Sequence, residues 1–300
     1  MFFIGVIYMK LLVNDNNIRL DKYISMNTDF SRSLVEKMLD NGFILVNDEV
    51  KKGSYKVSIN DEIDIDESFK IETDIKPEKM DLNIIYEDDD IMVINKPSGL
   101  VVHPGNGHFE HTLVNGLMGY TNKLSDLNGK GRCGIVHRID KDTSGLMMVA
   151  KSNKAHEILA KDFSEHKVNR TYYALLCGVL PYDNATIDAP IKRDKNNFNM
   201  MCVDEDGKKA ITHLTVLKRY HDYTLVKLNL ETGRTHQIRV HMKYIGYPIY
   251  NDPVYGKSID EFGQFLHSKE IDFIHPITKM PMHFECDLPT CFSNFIDTLK

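Results

Sequence analysis

The stretch GIVHRIDKDTSGLMMVAK, residues 134 to 151, sets five ionisable side chains, His137, Arg138, Asp140, Lys141 and Asp142, between two segments that want burial. On one side Ile135 and Val136 are β-branched; on the other Leu146 to Ala150 form an apolar run of strand length, closed by Lys151. The charged turn is therefore anchored in a core at both ends. Thr143 and Ser144 can bond their own backbone and Gly145 opens positive φ, so the tip is built to be tight. A rigidly held carboxylate beside an arginine is what a site requires, and it is also what an ordinary ion-paired turn looks like. The rest of the chain has to decide.

A length of 300 residues, with 42% hydrophobic and 27% charged side chains, is ordinary for a globular protein with room for two domains. The apolar opening from Met1 to Met9 is too short to span a bilayer and lacks a secretory cleavage site, so a cytoplasmic protein without a membrane segment is expected, and Met9 could equally be the start. Five cysteines, odd in number and without a CxxC pair, suggest neither a disulfide framework nor a zinc knuckle. The net charge of −6 argues against a non-specific coat for nucleic acid and leaves room for a local basic face. All 13 histidines fall after residue 100, a shift in composition that favours two domains.

Residues 18 to 66 read as a small unit. A capping box from Ser33 to Glu36, an apolar stripe of Leu34, Val35, Met38 and Leu39, and the stop at Gly42 predict a helix over about 32 to 41. Leu20, Tyr23 and Ile24 give a shorter helix face. Phe43 to Val46, Val50, Lys56-Val57 and Glu62 to Ile65 read as short strands. Residues 67 to 83 are polar, carry the first proline and show no period, which reads as a linker. Beyond it come a hairpin over 84 to 94 with an acidic turn, the loop Lys96-Pro97-Ser98-Gly99, and a helix capped at Ser152-Asn153. A strand over 170 to 176 puts Arg170, Tyr172 and Ala174 on one face. Another strand spans Leu225 to Leu230, and a helix capped by Thr235 runs to Gly246, with Arg234 on the loop before it.

The histidines 103, 108, 111, 236 and 241 form no HExxH, and helix positions five apart are poorly placed for joint ligation, so no metal is expected. No GxxxxGK[ST], GxGxxG or GxSxG occurs, which removes nucleotide and dinucleotide cofactors and leaves Ser144 a turn residue.

Four segments in order, NKPSGLVVHPG (95 to 105), the 134 to 151 stretch, RTYYALLCG (170 to 178) and LETGRTHQIRVHMKYIG (230 to 246), resemble the RluA-like pseudouridine synthases. DAPIKRD, GKKA and DPVYG look most like their large-subunit ribosomal RNA synthase D branch. The unit over 18 to 66 resembles the RNA-binding domain named for small-subunit ribosomal protein S-four, with Arg19, Lys22, Arg32 and Lys37 as RNA-facing candidates. That unit holds seven Lys/Arg against ten Asp/Glu, so any binding must come from a one-sided patch.

The resemblance implies an α+β protein: a small α/β RNA-binding domain, a linker over 67 to 83, and a catalytic domain over 84 to 300 with a mixed, mainly antiparallel central sheet flanked by helices. It implies isomerisation of uridine to pseudouridine in large-subunit (23S) ribosomal RNA, with the helix 69 stem-loop as target and no cofactor. Asp140 is then the attacking carboxylate, and Tyr172 stacks on the base and takes a proton from the sugar. Arg234 pairs with the carboxylate, Arg138 fills the gap left by the flipped uridine, and Ile238 is the floor under the base. Lys96 and Pro97 form a support loop counted, with His137, among the substrate-binding residues. Ile139 stands where the family usually has leucine and Asn251 where the branch tends to have glycine. A monomer acting on pre-ribosomal particles is expected. The alternatives are the same isomerase acting on another ribosomal or transfer RNA site, and an assembly factor with vestigial catalysis.

Overall fold

The computed structural model describes residues 8–28, 30, 32–66, 75–105, 110–197 and 200–300, apart from the side chains of Tyr8, Ser33 and Lys130. His108 and positions 67–74 of the expected linker lie outside the described residues. The chain divides into two units, Met1–Thr73 and Asp74–Lys300.

In the first unit β1 (Tyr8–Leu12), β2 (Ile44–Val46) and β3 (Glu62–Asp66) form an antiparallel sheet in the order β1-β3-β2, with α1 (Leu20–Asn27) and α2 (Arg32–Asp40) between β1 and β2 in the chain. Leu20, Tyr23 and Ile24 of α1 and Val35, Met38 and Leu39 of α2 are buried with Ile44, Val46, Ile63 and Ile65 of the strands. Gly42, at φ 76°, ends α2 as its position implies. Three details differ from expectation. The helix starts at Arg32, which puts Ser33 inside it instead of at its cap. Val50 is exposed, and it and Lys56-Val57 lie outside the strands. β1 comes from a segment whose apolarity alone carried no strand signal.

In the second unit nine strands form one mixed sheet in the order β4-β5-β6-β13-β7-β12-β11-β8, with β14 beside β13. They are β4 (Ile84–Glu87), β5 (Ile91–Lys96), β6 (Ser144–Ala150), β7 (Asn169–Cys177), β8 (Asn184–Asp188), β11 (Ile211–Arg219), β12 (Tyr223–Leu230), β13 (Leu266–Ile274) and β14 (Pro281–Glu285). A separate ribbon pairs β9 (Ile191–Arg193) with β10 (Met201–Val203). The helices are α3 (Leu113–Tyr120), α4 (Asn153–Ser164), α5 (Gln237–Tyr244) and α6 (Thr290–Thr298). Among the described strands the only parallel pairing is short, Ser144 with His267 and Gly145 with Ser268, where β6 leaves the charged turn. Gly145 is required there: at φ +109° a Cβ would lie 2.3 Å from the Ser268 carbonyl oxygen.

The described part of the expected linker is packed. Ile75 is buried in the main core, Glu78 N–H donates to Asn115 O at 2.9 Å, and Asn115 Nδ2 donates to Lys76 O at 2.9 Å. Its polar composition hid a short apolar anchor. Among the described residues no helix is long and apolar enough to cross a membrane.

Candidate active site

The charged turn is fixed by segments remote in sequence. Thr143 N–H closes it on Asp140 O at 3.1 Å. Lys96, only 1% exposed, spends its three N–H donors on Lys141 O at 2.8 Å, Pro97 O at 2.8 Å and Leu100 O at 2.9 Å. Burial pushes its ammonium down to about 7 against the pull of Asp142 and Asp140. Ser98 Oγ donates to Asp142 O at 3.0 Å and also contacts Phe262 O, while Gln264 Nε2 donates to Thr143 Oγ1 at 3.0 Å. Behind the turn, Ser144 Oγ, the His267 ring and Cys286 Sγ form a buried chain.

Lys96 and His137, expected among the substrate-binding residues, both make structural contacts. Lys96 is saturated by main-chain carbonyls and works as a cross-link between loop 97–100 and the turn. His137 stacks on Phe163 with ring centroids 4.4 Å apart, and its Nε2 accepts from Met148 N–H at 2.9 Å, which ties the turn to β6. Burial, with Arg170 nearby, pushes His137 down to about 3, so the ring is neutral. Neither residue lines the pocket at Asp140; Pro97 is exposed and also lies outside its wall.

Asp140 faces a pocket whose wall includes Arg138, Arg170, Tyr172, Arg234, Ile238 and Arg239. Its arginine partner is Arg239, and this corrects the assignment of that role to Arg234: Arg239 Nη1 donates to Asp140 Oδ2 at 3.0 Å. The physical reason is the start of α5. Thr235 is not the cap; His236 occupies that position in the left-handed region at φ 56°, and Arg239 points inward. Its Nε and Nη2 grip both oxygens of Asp252, each at 2.8 Å, which fixes the guanidinium before it reaches Asp140. Burial opposes this charge, yet Asp252 and Asp140 together hold it more firmly protonated than an ordinary arginine. Arg234 lies at the pocket edge, where its Nε donates to Lys209 O at 2.9 Å and its N–H to Gln237 Oε1 at 3.0 Å. Asp252, in the quoted DPVYG, is the other functional side chain missed; a buried arginine amid the apolar residues of α5 needs such a carboxylate, and that was the available signal.

Among the described residues the second oxygen of Asp140 has no hydrogen-bond partner. His236 Nε2 lies 3.9 Å from it, beyond hydrogen-bond range. Burial keeps His236 below its usual pKa despite Asp140, and its Nδ1 lies 2.8 Å from the Tyr255 hydroxyl, which accepts from Met201 N–H at 2.8 Å. Across the pocket Tyr172, between Leu228 and Ser268 in register, is 5% exposed, and its hydroxyl has no hydrogen bond among the described residues. Ile238, Leu230 and Leu266 supply apolar wall, and Arg138 is exposed. Four arginines against one carboxylate make this wall electropositive. A larger cavity of about 970 Å³ is lined by Asp81, Glu285 and Asp287 and would repel a polyanion.

The amino-terminal candidates divide. Arg19 and Arg32 converge on the buried Asp21, with Nη2 atoms 2.7 and 2.8 Å from its Oδ2; Lys22 and Lys37 are exposed on α1 and α2. Of the histidines considered as ligands, His241 bonds Thr212 Oγ1 and Ala189 O, and His111 bonds Glu78.

Comparison with known proteins shows what the chain is similar to. Residues 90–244 match the RNA pseudouridylate synthase family and residues 18–63 the S4 domain. An uncharacterised RNA pseudouridine synthase, YlyB of Bacillus subtilis, is 48% identical over 94% of each chain. Ribosomal large subunit pseudouridine synthase D of Pasteurella multocida is 38% identical over 94% of this chain and 91% of its own. The structure of human RNA pseudouridylate synthase domain containing 1 superposes with a TM-score of 0.58 at 26% identity, over 69% of this chain and 83% of that one. With Asp140 set in an arginine-lined pocket and the match spanning both units, the chain belongs to the RNA pseudouridylate synthase family and carries an amino-terminal S4 domain.

Proposed function

We propose that this enzyme isomerises uridines in large-subunit ribosomal RNA, with the helix 69 stem-loop as target, and that Asp140 is the group that attacks the sugar. The observation that carries the reading is the asymmetric carboxylate: Oδ2 is pinned by Arg239 while Oδ1 faces a pocket and, among the described residues, has no hydrogen-bond partner. The reaction breaks the C1′–N1 bond, turns the uracil and forms a C1′–C5 bond; the proton on C5 leaves and one is gained at N1, so atoms and electrons balance without an oxidant. A preset carboxylate lowers the barrier by orientation and by meeting the charge that develops at C1′. The unengaged Tyr172 hydroxyl is suited to relay a proton at the sugar once a flipped uridine lies between it and Ile238, taking it from C2′ and returning it there as the C1′–C5 bond forms, so that the ribose is unchanged. Arg138, exposed beside the pocket, is suited to occupy the space the base vacates.

Relatives named ribosomal large subunit pseudouridine synthase D match over more than nine-tenths of this chain, which supports the choice of RNA. In the S4 unit the outward edges of Arg19 and Arg32, with Lys22 and Lys37, are the proposed RNA face. Mapping pseudouridine in ribosomal and transfer RNA from cells with and without the gene tests the reading. Loss confined to the large-subunit stem-loop is expected; unchanged large-subunit RNA overturns it.

A further inference from the structure

We infer that Arg170 is a binding residue for a backbone phosphate of the RNA strand that enters the Asp140 pocket. The inference rests on the proposed function and specifies how that site holds its substrate. Arg170 stands on β7 two residues before Tyr172, so both side chains reach the same pocket wall. It is only 8% exposed, yet among the described residues it makes no side-chain hydrogen bond or ion pair, and its Nε is buried without an acceptor.

Every other buried arginine function in this site is accounted for: Arg239 has two carboxylates, and the more exposed Arg234 has the Lys209 carbonyl. A guanidinium largely withdrawn from water, with its Nε buried and no carboxylate beside it, is costly, and such groups in native proteins call for an explanation. Here the surroundings supply orientation without charge. The guanidinium carbon lies 5.4 Å from the Phe163 ring centroid, which holds the plane by stacking. Its far end sits over Gly233, where a Cβ would come 3.2 Å from Nη1 and 3.4 Å from Nη2. The absence of a side chain at Gly233 therefore leaves that fork clear on the turn that carries Arg234.

An acceptor of matching charge and shape is a phosphodiester, whose two non-bridging oxygens fit a planar guanidinium fork. A base carbonyl would satisfy one donor and leave the charge uncompensated in a wall already rich in arginine. The phosphate contact also does something for the reaction: by fixing the backbone beside the target nucleoside, it limits where C1′ can sit relative to Asp140.

The test is equilibrium binding to a synthetic RNA hairpin built around the uridine that the cellular mapping identifies, with neutral methylphosphonate replacing each phosphate near that uridine in turn. For wild-type protein one replacement is expected to weaken binding about tenfold; with Arg170→Met the same replacement should have no further effect. Arg170→Met should also lower the slope of log affinity against log salt by about one. Arg170→Lys keeps the charge, guards against misfolding and should keep part of the coupling. Methylphosphonate penalties that are equal in wild type and both variants, with an unchanged salt slope, overturn the inference. Because binding is read without turnover, a wild-type protein that binds this hairpin and forms no pseudouridine counts against the functional reading, while the coupling still decides the role of Arg170.

Discussion

Asp21 in the S4 unit and Asp140 in the catalytic unit are both carboxylates met by arginine, and they end in opposite conditions. The Asp21 side chain is 0% exposed and takes Arg19 on both oxygens, Arg32 Nη2 at 2.8 Å and Lys22 N–H at 2.7 Å. Chiefly through Arg19, its pKa is held well below the ordinary carboxylate range. The Asp140 side chain is 20% exposed, with one arginine on one oxygen. A carboxylate whose lone pairs are all engaged can only hold its neighbours in place; one that is half engaged can react. The difference lies in unused acceptor capacity, since both residues sit beside arginine.

The largest effect that would break this contrast is on turnover. Asp140→Asn keeps the shape and removes the charge proposed to react, so single-turnover pseudouridine formation should fall on the order of 10⁴-fold or more. RNA affinity should stay within about tenfold, roughly 1.4 kcal/mol. Clear product from the purified variant would move the reaction to another group. Tyr172→Phe keeps the ring and loses the hydroxyl, and a slowing of about 10²-fold or more at saturating RNA is expected for a proton acceptor. Near-normal turnover would leave it a stacking role only.

Arg239→Gln removes the partner of two carboxylates at once, and denaturant titration should show a loss of about 3 kcal/mol together with severe loss of activity. Arg234→Ala should change stability by less than about 0.5 kcal/mol, because its side chain bonds only a main-chain carbonyl. The reverse order would restore Arg234 as the partner. On the other side of the contrast, Asp21→Asn should destabilise the S4 unit by about 3 kcal/mol while turnover at saturating RNA holds. Equal loss of turnover would show that the clamp reaches the chemistry.

The smallest effect is on acid sensitivity. Burial pushes His137 down to about 3 and His267 to about 4, so between those values and about 6.5 the unfolded catalytic unit binds more protons than the folded one. The stability that the two neutral histidines contribute is full above that window and declines as pH falls through it. The Asp21 clamp has the opposite starting point: its lowered pKa adds stability that is lost only as pH falls below the ordinary carboxylate value of about 3.8. Melting followed from pH 7 to pH 4 should therefore soften the catalytic unit first, and glutamine at His267 should flatten its slope.

The legible parts of this protein are those that repeat locally. The α2 stripe, the Ser152 cap, the hairpin over 84–94 and the alternation of Arg170 and Tyr172 appear where their periods put them. What escaped is long-range. Arg234 and Arg239 lie five positions apart in one quoted segment, and only the direction in which α5 starts, together with Asp252 13 residues beyond Arg239, decides which one meets Asp140. Arg19 and Arg32 look like free surface cations until the burial of Asp21 shows what they neutralise. Lys96 reads as a loop lysine, and its enclosure by three carbonyls is invisible in KPSG.

That enclosure bears on how the turn moves. Lys96 ends β5, Thr143 adjoins β6, and Gly263 approaches so closely that a Cβ there would meet Asp142 Cβ at 2.4 Å. The turn therefore has no separate hinge: releasing it breaks the Lys96 cross-link, strips Ser98 from Asp142 O and pulls on the short parallel pairing at Ser144 and Gly145. Opening it should therefore cost more than opening a surface loop of the same length, and the Thr143 amide, which donates to Asp140 O, is the one expected to exchange as slowly as the sheet.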